Sequence, residues 1–140
     1  MTVCLDTNVF LQIFGREQPY HQIVRALLDG RIMLAVSNEI LLEYQEVTTM
    51  LSGVERWREV EAFLELLGQL HGNIRQVEPQ FRFAVITADP DDNKFCDCAI
   101  AAEVDFVVTD DAHFGALTAA EYKPKPMSPE EFIRVHLVGH

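Results

Sequence analysis

Residues 89–111 read DPDDNKFCDCAIAAEVDFVVTDD, and this stretch constrains the fold more than any other in the chain. A helical segment rich in Ala and Cys, residues 93–104, leads directly into a β-branched and aromatic run, residues 105–108. Small apolar side chains along that helix suit close packing against a sheet. Seven Asp and one Glu surround this apolar centre. Like charges repel, and a carboxylate taken out of water without a partner is costly. The sequence therefore calls for positive charge that its own side chains do not supply.

The same alternation of strand and helix runs through the rest of the chain. Residues 2–5 form a β-rich run that ends at Asp6, and residues 8–14 carry apolar positions at helical intervals. A second helix is expected over 19–28, with Ile23, Leu27 and Leu28 inward and Gly30 as its stop. A strand follows over 31–36, then a helix capped by Ser37 with Ile40, Leu41, Tyr44 and Val47 on its apolar face. Gly53 separates that helix from another over 54–70, whose Val60, Phe63, Leu64 and Leu67 share one side. A brief strand over 74–77 precedes a loop to residue 92. After the helix and strand of the acidic stretch, residues 122–127 are extended. Ser128, Pro129 and Glu131 then supply an N-cap, first-turn proline and capping box for a closing helix.

Strands separated by helices predict an α/β fold, a three-layer α/β/α sandwich with a central, mostly parallel sheet, in one domain spanning 1–140. Ligands of such sheets bind beyond the carboxyl ends of the strands. Asp6 follows the first strand, Asp110 and Asp111 follow the strand 105–108, and Glu43, Asp92 and Asp97 lie on or before helices that flank the same edge. Carboxylates far apart in sequence are thus expected to converge.

Composition narrows the possibilities further. The net charge of −11 argues against a general nucleic-acid binder, because phosphate contacts normally come from a basic surface. Bound divalent cations would reverse that objection locally. Cys4, Cys96 and Cys98 are an odd set without repeated metal-ligand spacing, so they are expected to be reduced core residues. The apolar runs are too short and too often interrupted by charge to span a membrane, and no secretory signal opens the chain, which predicts a cytoplasmic protein.

Each acid also has an ordinary structural explanation. Asp6 could cap the helix that follows it. Glu43, with Glu39 and Glu46 near one turn away, could belong to a solvated face, although Leu42 and Tyr44 beside it are large. Asp89 and Asp91 flank Pro90 as turn residues do. Asp92 could cap its helix. Asp97, inside the Ala-rich helix, calls for a partner. Turn chemistry accounts for one of Asp110 and Asp111 more readily than for both.

Taken together, Leu5-Asp6-Thr7-Asn8, the segment from Val36 to Tyr44, Asp97-Cys98-Ala99-Ile100-Ala101-Ala102 and Val107-Val108-Thr109-Asp110-Asp111 resemble the PIN-domain nucleases. The order, spacing and length are similar to those of the VapC-like toxins of bacterial toxin-antitoxin pairs. The loop 89–95 is similar to that of one subgroup of PIN-family toxins. The resemblance implies that Asp6, Glu43 and Asp111 bind metal, with either Asp92 or Asp97 as a further acid. Asn8 and Thr109 would be polar supports, and Asp110 would stand beside them. It also implies Mg²⁺ or Mn²⁺ as cofactor, RNA as substrate, a small antitoxin protein as partner and a homodimer; the helix 54–70 offers an apolar face for packing either within the core or against a twin. At His113 the sequence departs from the many relatives that carry another Asp, and imidazole prefers softer ions than Mg²⁺.

The expected function is therefore metal-dependent hydrolysis of RNA phosphodiester bonds, with Arg16, Arg82 and Lys94 as candidates for holding phosphates. Two other classes compete. One is a PIN-like module that binds RNA or protein without cutting. The other is a receiver-like phosphoacceptor domain, suggested by Asp6, Thr109 and Lys123 or Lys125, though no acid pair stands at its centre.

Overall fold

The computed structural model describes residues 1–14 and 20–138. Strands β1 (Thr2–Leu5), β2 (Met33–Val36), β3 (Ile74–Gln76), β4 (Phe106–Val108) and β5 (Lys125–Met127) form one sheet in the order β3-β2-β1-β4-β5. All four pairings are parallel, so the expected mostly parallel sheet contains no antiparallel pair among the described residues. The connecting helices are α1 (Thr7–Ile13), α2 (His21–Leu28), α3 (Asn38–Ser52), α4 (Val54–His71), α5 (Asn93–Ala101), α6 (Ala116–Ala119) and α7 (Pro129–Phe132). Together they complete a three-layer α/β/α sandwich. No described helix is long and apolar enough to cross a membrane.

Strand order places the functional edge. From β1 the chain steps outward through β2 to β3, then returns to the other side of β1 with β4 and β5. The reversal lies between β1 and β4, where Val3 pairs with Phe106, Cys4 with Val107 and Leu5 with Val108. Loops leave these two strands in opposite directions and open a crevice at their carboxyl ends. Val3, Cys4, Leu5, Val107 and Val108 are buried, as expected for strands covered on both faces.

A tyrosine ties the layers together beneath that crevice. The Tyr44 ring on α3 stacks on Phe10 of α1, with centroids 3.8 Å apart and planes 1° from parallel. Its hydroxyl donates to the Leu5 carbonyl at the end of β1. Burial pushes the phenol well above its ordinary pKa, so it stays a neutral donor. The three cysteines are free and buried, and Cys4 Sγ lies 3.6 Å from the Ala35 carbonyl oxygen.

Several expectations are adjusted by local geometry. The helix expected over 19–28 is described from His21, and Pro19 lies outside the described residues. Val24, not Leu28, turns inward on α2, and Leu28 is exposed. Helix α5 stops at Ala101 because Glu103 adopts φ 53°, letting the Val104 N–H return to the Ala99 carbonyl in the manner of a left-handed helix stop. Glycine, the usual signal for that stop, is absent there. On α4, Val60, Leu64 and Leu67 are buried in the core with Trp57, and Phe63 packs beside Phe14. The face considered for a twin chain is thus occupied within the molecule. Lys125 opens β5 in register with Phe106, at the amino edge of the sheet and opposite Asp6, and Lys123 donates to the Glu103 carbonyl. The receiver-like juxtaposition is not formed.

The Tyr44 contact gives a direct stability prediction. Tyr44→Phe keeps the ring stack but removes the hydroxyl donor to Leu5, and is expected to cost about 1–3 kcal/mol. Tyr44→Ala, which empties the site, is expected to cost about 3–5 kcal/mol. Urea denaturation of both variants would measure the difference, and a Tyr44→Phe midpoint equal to wild type would show that the hydroxyl does not hold the strand end.

Candidate metal centre

Asp6 occupies the N-cap position of α1, yet its side chain makes no cap hydrogen bond. Instead it turns to the neighbouring strand. Its backbone N–H donates to the Val108 carbonyl at 3.1 Å, and Oδ2 accepts from the Thr109 hydroxyl at 2.8 Å. That hydroxyl in turn accepts from the Asp111 N–H at 2.9 Å. Thr109 therefore couples the ends of β1 and β4 through one oxygen. Asp111 Oδ1 accepts from the His113 N–H at 2.9 Å and caps the turn Ala112–Gly115.

Glu43 reaches the same edge from the middle of α3. Its Oε2 accepts from the Thr7 hydroxyl, and its Oε1 lies 2.6 Å from Lys94 Nζ on α5. Both members of this ion pair are mostly shielded from solvent. Leu42, whose size suggested a buried surrounding, is instead 63% exposed, so Glu43 lies at the boundary of the core. Thr7, which donates to Glu43, is not marked out by residue type or pattern in the sequence. Its only signal was its place between Asp6 and Asn8.

The structure separates the two acids left open on or before α5. Asp92 faces the strand ends, where the carboxyl groups of Asp111, Asp89 and Asp6 act on it. Its Oδ2 is buried without a hydrogen-bond partner. Asp97 lies on another side, where its Oδ1 accepts from the Phe83 N–H at 3.0 Å and its electrostatic neighbours are Glu39 and Arg82. The partner that a buried Asp97 required is thus the backbone of the loop before α5. Asn93 secures the same loop through paired hydrogen bonds with the Ile86 N–H and carbonyl, at 2.8 and 2.9 Å.

The remaining candidates are spread around this centre. Asn8 is exposed on the first turn of α1, and Asp110 is exposed with its charge felt at the Tyr20 phenol, away from Asp111. Arg82 is exposed and lines a cavity of about 110 Å³ with Lys94, Asp97 and Glu39. Arg16 lies outside the described residues. Asp91 is exposed, as a turn residue would be. Asp89 goes beyond its turn explanation: one of its oxygens, one of Asp92 and a ring nitrogen of His113 lie within 4.8 Å of one another.

Electrostatics show the strain of this arrangement. Burial raises the Asp6 pKa; the Thr109 hydroxyl and Thr7 N–H oppose it, while Asp111 and Glu43 add to it. Burial pushes Asp92 up to about 7, reinforced by the neighbouring carboxyl groups of Asp111, Asp89 and Asp6. Burial also raises Asp97, reinforced by Glu39 and opposed by the Phe83 N–H and Arg82. The donors around Asp6, Asp92 and Asp111 are all oxygens, which suits a hard divalent cation. The orphaned Asp92 oxygen and mutual repulsion fit such an ion. Among the described residues the cation close to this edge is Lys94, and Glu43 already engages it.

A pH dependence follows for the metal-free protein. Between about pH 4 and pH 7 the folded chain holds a proton on Asp92 that the unfolded chain has released, so stability falls as pH rises through this window. Urea midpoints measured in chelator across these pH values should decline for wild type and flatten for Asp92→Asn. Equal slopes for the two proteins would contradict the placement of Asp92.

A family model described as a PIN domain matches residues 2–113. No curated protein matches the sequence. The fold is similar to that of VapBC2 from Rickettsia felis, solved bound to a DNA fragment from its promoter, with TM-score 0.58 and 14% identity over 91% of this chain and 98% of that one. It is also similar to FitAcB from Neisseria gonorrhoeae, with TM-score 0.55 and 21% identity over 91% and 98% of the two chains. FitAB bound to an IR36 DNA fragment gives 0.54 and 20% over 91% and 94%. At these identities the likeness is one of fold. The family match takes in the strand ends and every acid gathered there, and the chain belongs to the PIN-domain family.

Proposed function

We propose that the protein is a metal-dependent endoribonuclease acting as the toxin of a toxin-antitoxin pair. The observation that carries this reading is the convergence of Asp6, Asp92 and Asp111 from three separate segments onto one edge, with an Asp92 oxygen buried and unpartnered. Membership of the PIN family supports nuclease chemistry, and the all-oxygen donor set favours Mg²⁺ or Mn²⁺. Asp6, Asp92 and Asp111 would hold the ion, with Glu43 at its margin. When bound, such an ion supplies the Lewis acidity that polarises a phosphodiester oxygen and eases deprotonation of water.

The chain's own residues prepare that site. Thr109 donates to Asp6 and accepts from the Asp111 backbone, fixing the separation of the two strand ends. Thr7 and Lys94 hold Glu43 from opposite oxygens. Lys94 is thereby stationed beside the carboxylates, where its ammonium can meet a substrate phosphate. Arg82 and Arg16 are further candidates for the RNA backbone. Asp97 serves as a positioning residue for the loop that ends at Asp89.

The VapBC2 and FitAB structures were solved on DNA fragments, and the likeness in fold to them supports a reading with a small antitoxin partner. An acidic edge suits a partner that inserts Arg or Lys. With the inner face of α4 taken by the core, a homodimer would instead draw on exposed apolar residues such as Met50, Leu51 and Val54.

Cleavage of a mixed single-stranded RNA pool with Mg²⁺, Mn²⁺ or chelator is the direct test. Asp6→Asn, Asp92→Asn and Asp111→Asn are each expected to lower the rate by about 10²–10³-fold, whereas Asp97→Asn should act chiefly on stability. Loss of cleavage in Asp97→Asn alone, with Asp92→Asn fully active, would overturn the assignment. Absence of metal-dependent cleavage by wild type would favour a binding module.

A further inference from the structure

The loop between β3 and α5 is pinned at two points and presents the residues that lie between them. At its start, Glu78 Oε1 accepts from the Asn38 N–H at 3.0 Å, which ties the loop to the first turn of α3. Further on, the Phe83 N–H donates to Asp97 Oδ1 at 3.0 Å, and the Phe83 ring meets Tyr122 edge-on with centroids 5.8 Å apart. Phe81 and Arg82 stand between these anchors. Phe81 is 72% exposed, while every other aromatic side chain among the described residues is buried or half-buried. With Arg82, Glu39, Lys94 and Asp97 it lines the cavity of about 110 Å³. Lys94 joins this cavity to the strand ends, because its Nζ lies 2.6 Å from Glu43 Oε1.

The opposite charges in this cavity are not spent on one another. Glu39 and Arg82 both act on the Asp97 carboxyl, yet neither forms an ion pair among the described residues. A carboxylate offers only acceptors and a guanidinium only donors, so a ligand that satisfies both must carry donors on one edge and acceptors on another. A flat ligand would also cover the exposed ring. Nucleobases have this form, and single-stranded RNA stacks its bases on such aromatic platforms. Guanine matches most fully. Its N1–H and N2–H can meet one carboxylate as a pair, while O6 and N7 take the forked Arg donor. Adenine and cytosine offer one amino group, and uracil one imino group.

We propose that the cavity is a guanine subsite for the RNA, with Phe81 stacking on the base, Glu39 accepting from N1–H and N2–H, and Arg82 donating to O6 and N7. The inference rests on the reading of RNA as the substrate cut at the strand ends, and it gives Arg82 a base edge in place of the backbone. Asp97 keeps its positioning role, since it holds the loop that presents Phe81 and Arg82.

Short single-stranded RNAs that differ at one position, carrying guanosine, inosine, 7-deazaguanosine or adenosine, test the proposal. Binding is read by fluorescence anisotropy with Asp6→Asn, expected to leave the RNA largely uncut, and cleavage with wild type in Mn²⁺. Guanosine should bind about 5–100-fold more tightly than adenosine, and wild type should cut at a fixed distance from it. Inosine lacks the N2 amino group and 7-deazaguanosine lacks N7, so each should lose part of that preference. Glu39→Ala should erase the difference between guanosine and inosine, and Arg82→Ala that between guanosine and 7-deazaguanosine. Phe81→Ala should weaken binding of all four RNAs by about 5–100-fold. These three residues are exposed, so their variants should melt as wild type does. Equal binding of all four RNAs would overturn the proposal, as would a guanosine preference that survives in both Glu39→Ala and Arg82→Ala. Guanosine-selective binding without cleavage by wild type would sustain the subsite and reject the nuclease reading; metal-dependent cleavage with no base preference would do the reverse.

Discussion

The parallel pairing of β1 with β4 is the contact on which the rest of the candidate site depends. Register alone sets Leu5 beside Val108, so the next residues of both strands, Asp6 and Thr109, emerge together although 103 positions separate them. Because the strand order reverses at this pair, no helix connection crosses directly above it, and the side chains have a crevice to fill. Tyr44 secures the same point from below by donating to the Leu5 carbonyl while its ring stacks on Phe10. Strand register, core packing and site geometry therefore meet within a few residues.

The acids at this edge are tolerated in graded ways. Asp6 has the Thr109 hydroxyl and the Thr7 N–H, and Glu43 has Thr7 and Lys94. Asp111 caps a turn. Asp92 has the least compensation, with an orphaned oxygen and three carboxylates acting on it, so it is pushed up to about 7. An isolated domain gains nothing in stability from this arrangement. Sites that bind cations commonly hold such unrelieved charge, and the ion's own field reverses the local balance when it is bound.

Much of the fold was legible in the chain because its signals were local. Ser37 and Ser128 cap their helices as their identities suggest, accepting from the N–H groups of Ile40 and Glu131. Gly30 stops α2 at φ 71°, and a Cβ there would meet His71 Nδ1 at 2.9 Å. The site was legible in part. The positions of Asp6 and Asp111 follow from strand ends, which hydropathy marks well. The different surroundings of Asp92 and Asp97 could not be read, because they depend on which way α5 rolls against the sheet and on a loop whose Phe83 N–H donates to the Asp97 carboxylate. Asp89 looked ordinary for the same reason: it belongs to a turn whose facing partner, His113, is distant in sequence. The short turns at Ala112–Gly115 and Ala116–Ala119 gave no periodic signal long enough to recognise.

The central claim is that pairing of β1 with β4 assembles carboxylates into a cation site. Crystals soaked in Mn²⁺ and measured for anomalous scattering test it most directly. The account predicts an anomalous peak bounded by the Asp6, Asp92 and Asp111 carboxylates, with the Asp92 oxygen among its ligands. A soaked crystal with no peak between these residues, and with Asp92 still unpartnered, would contradict it.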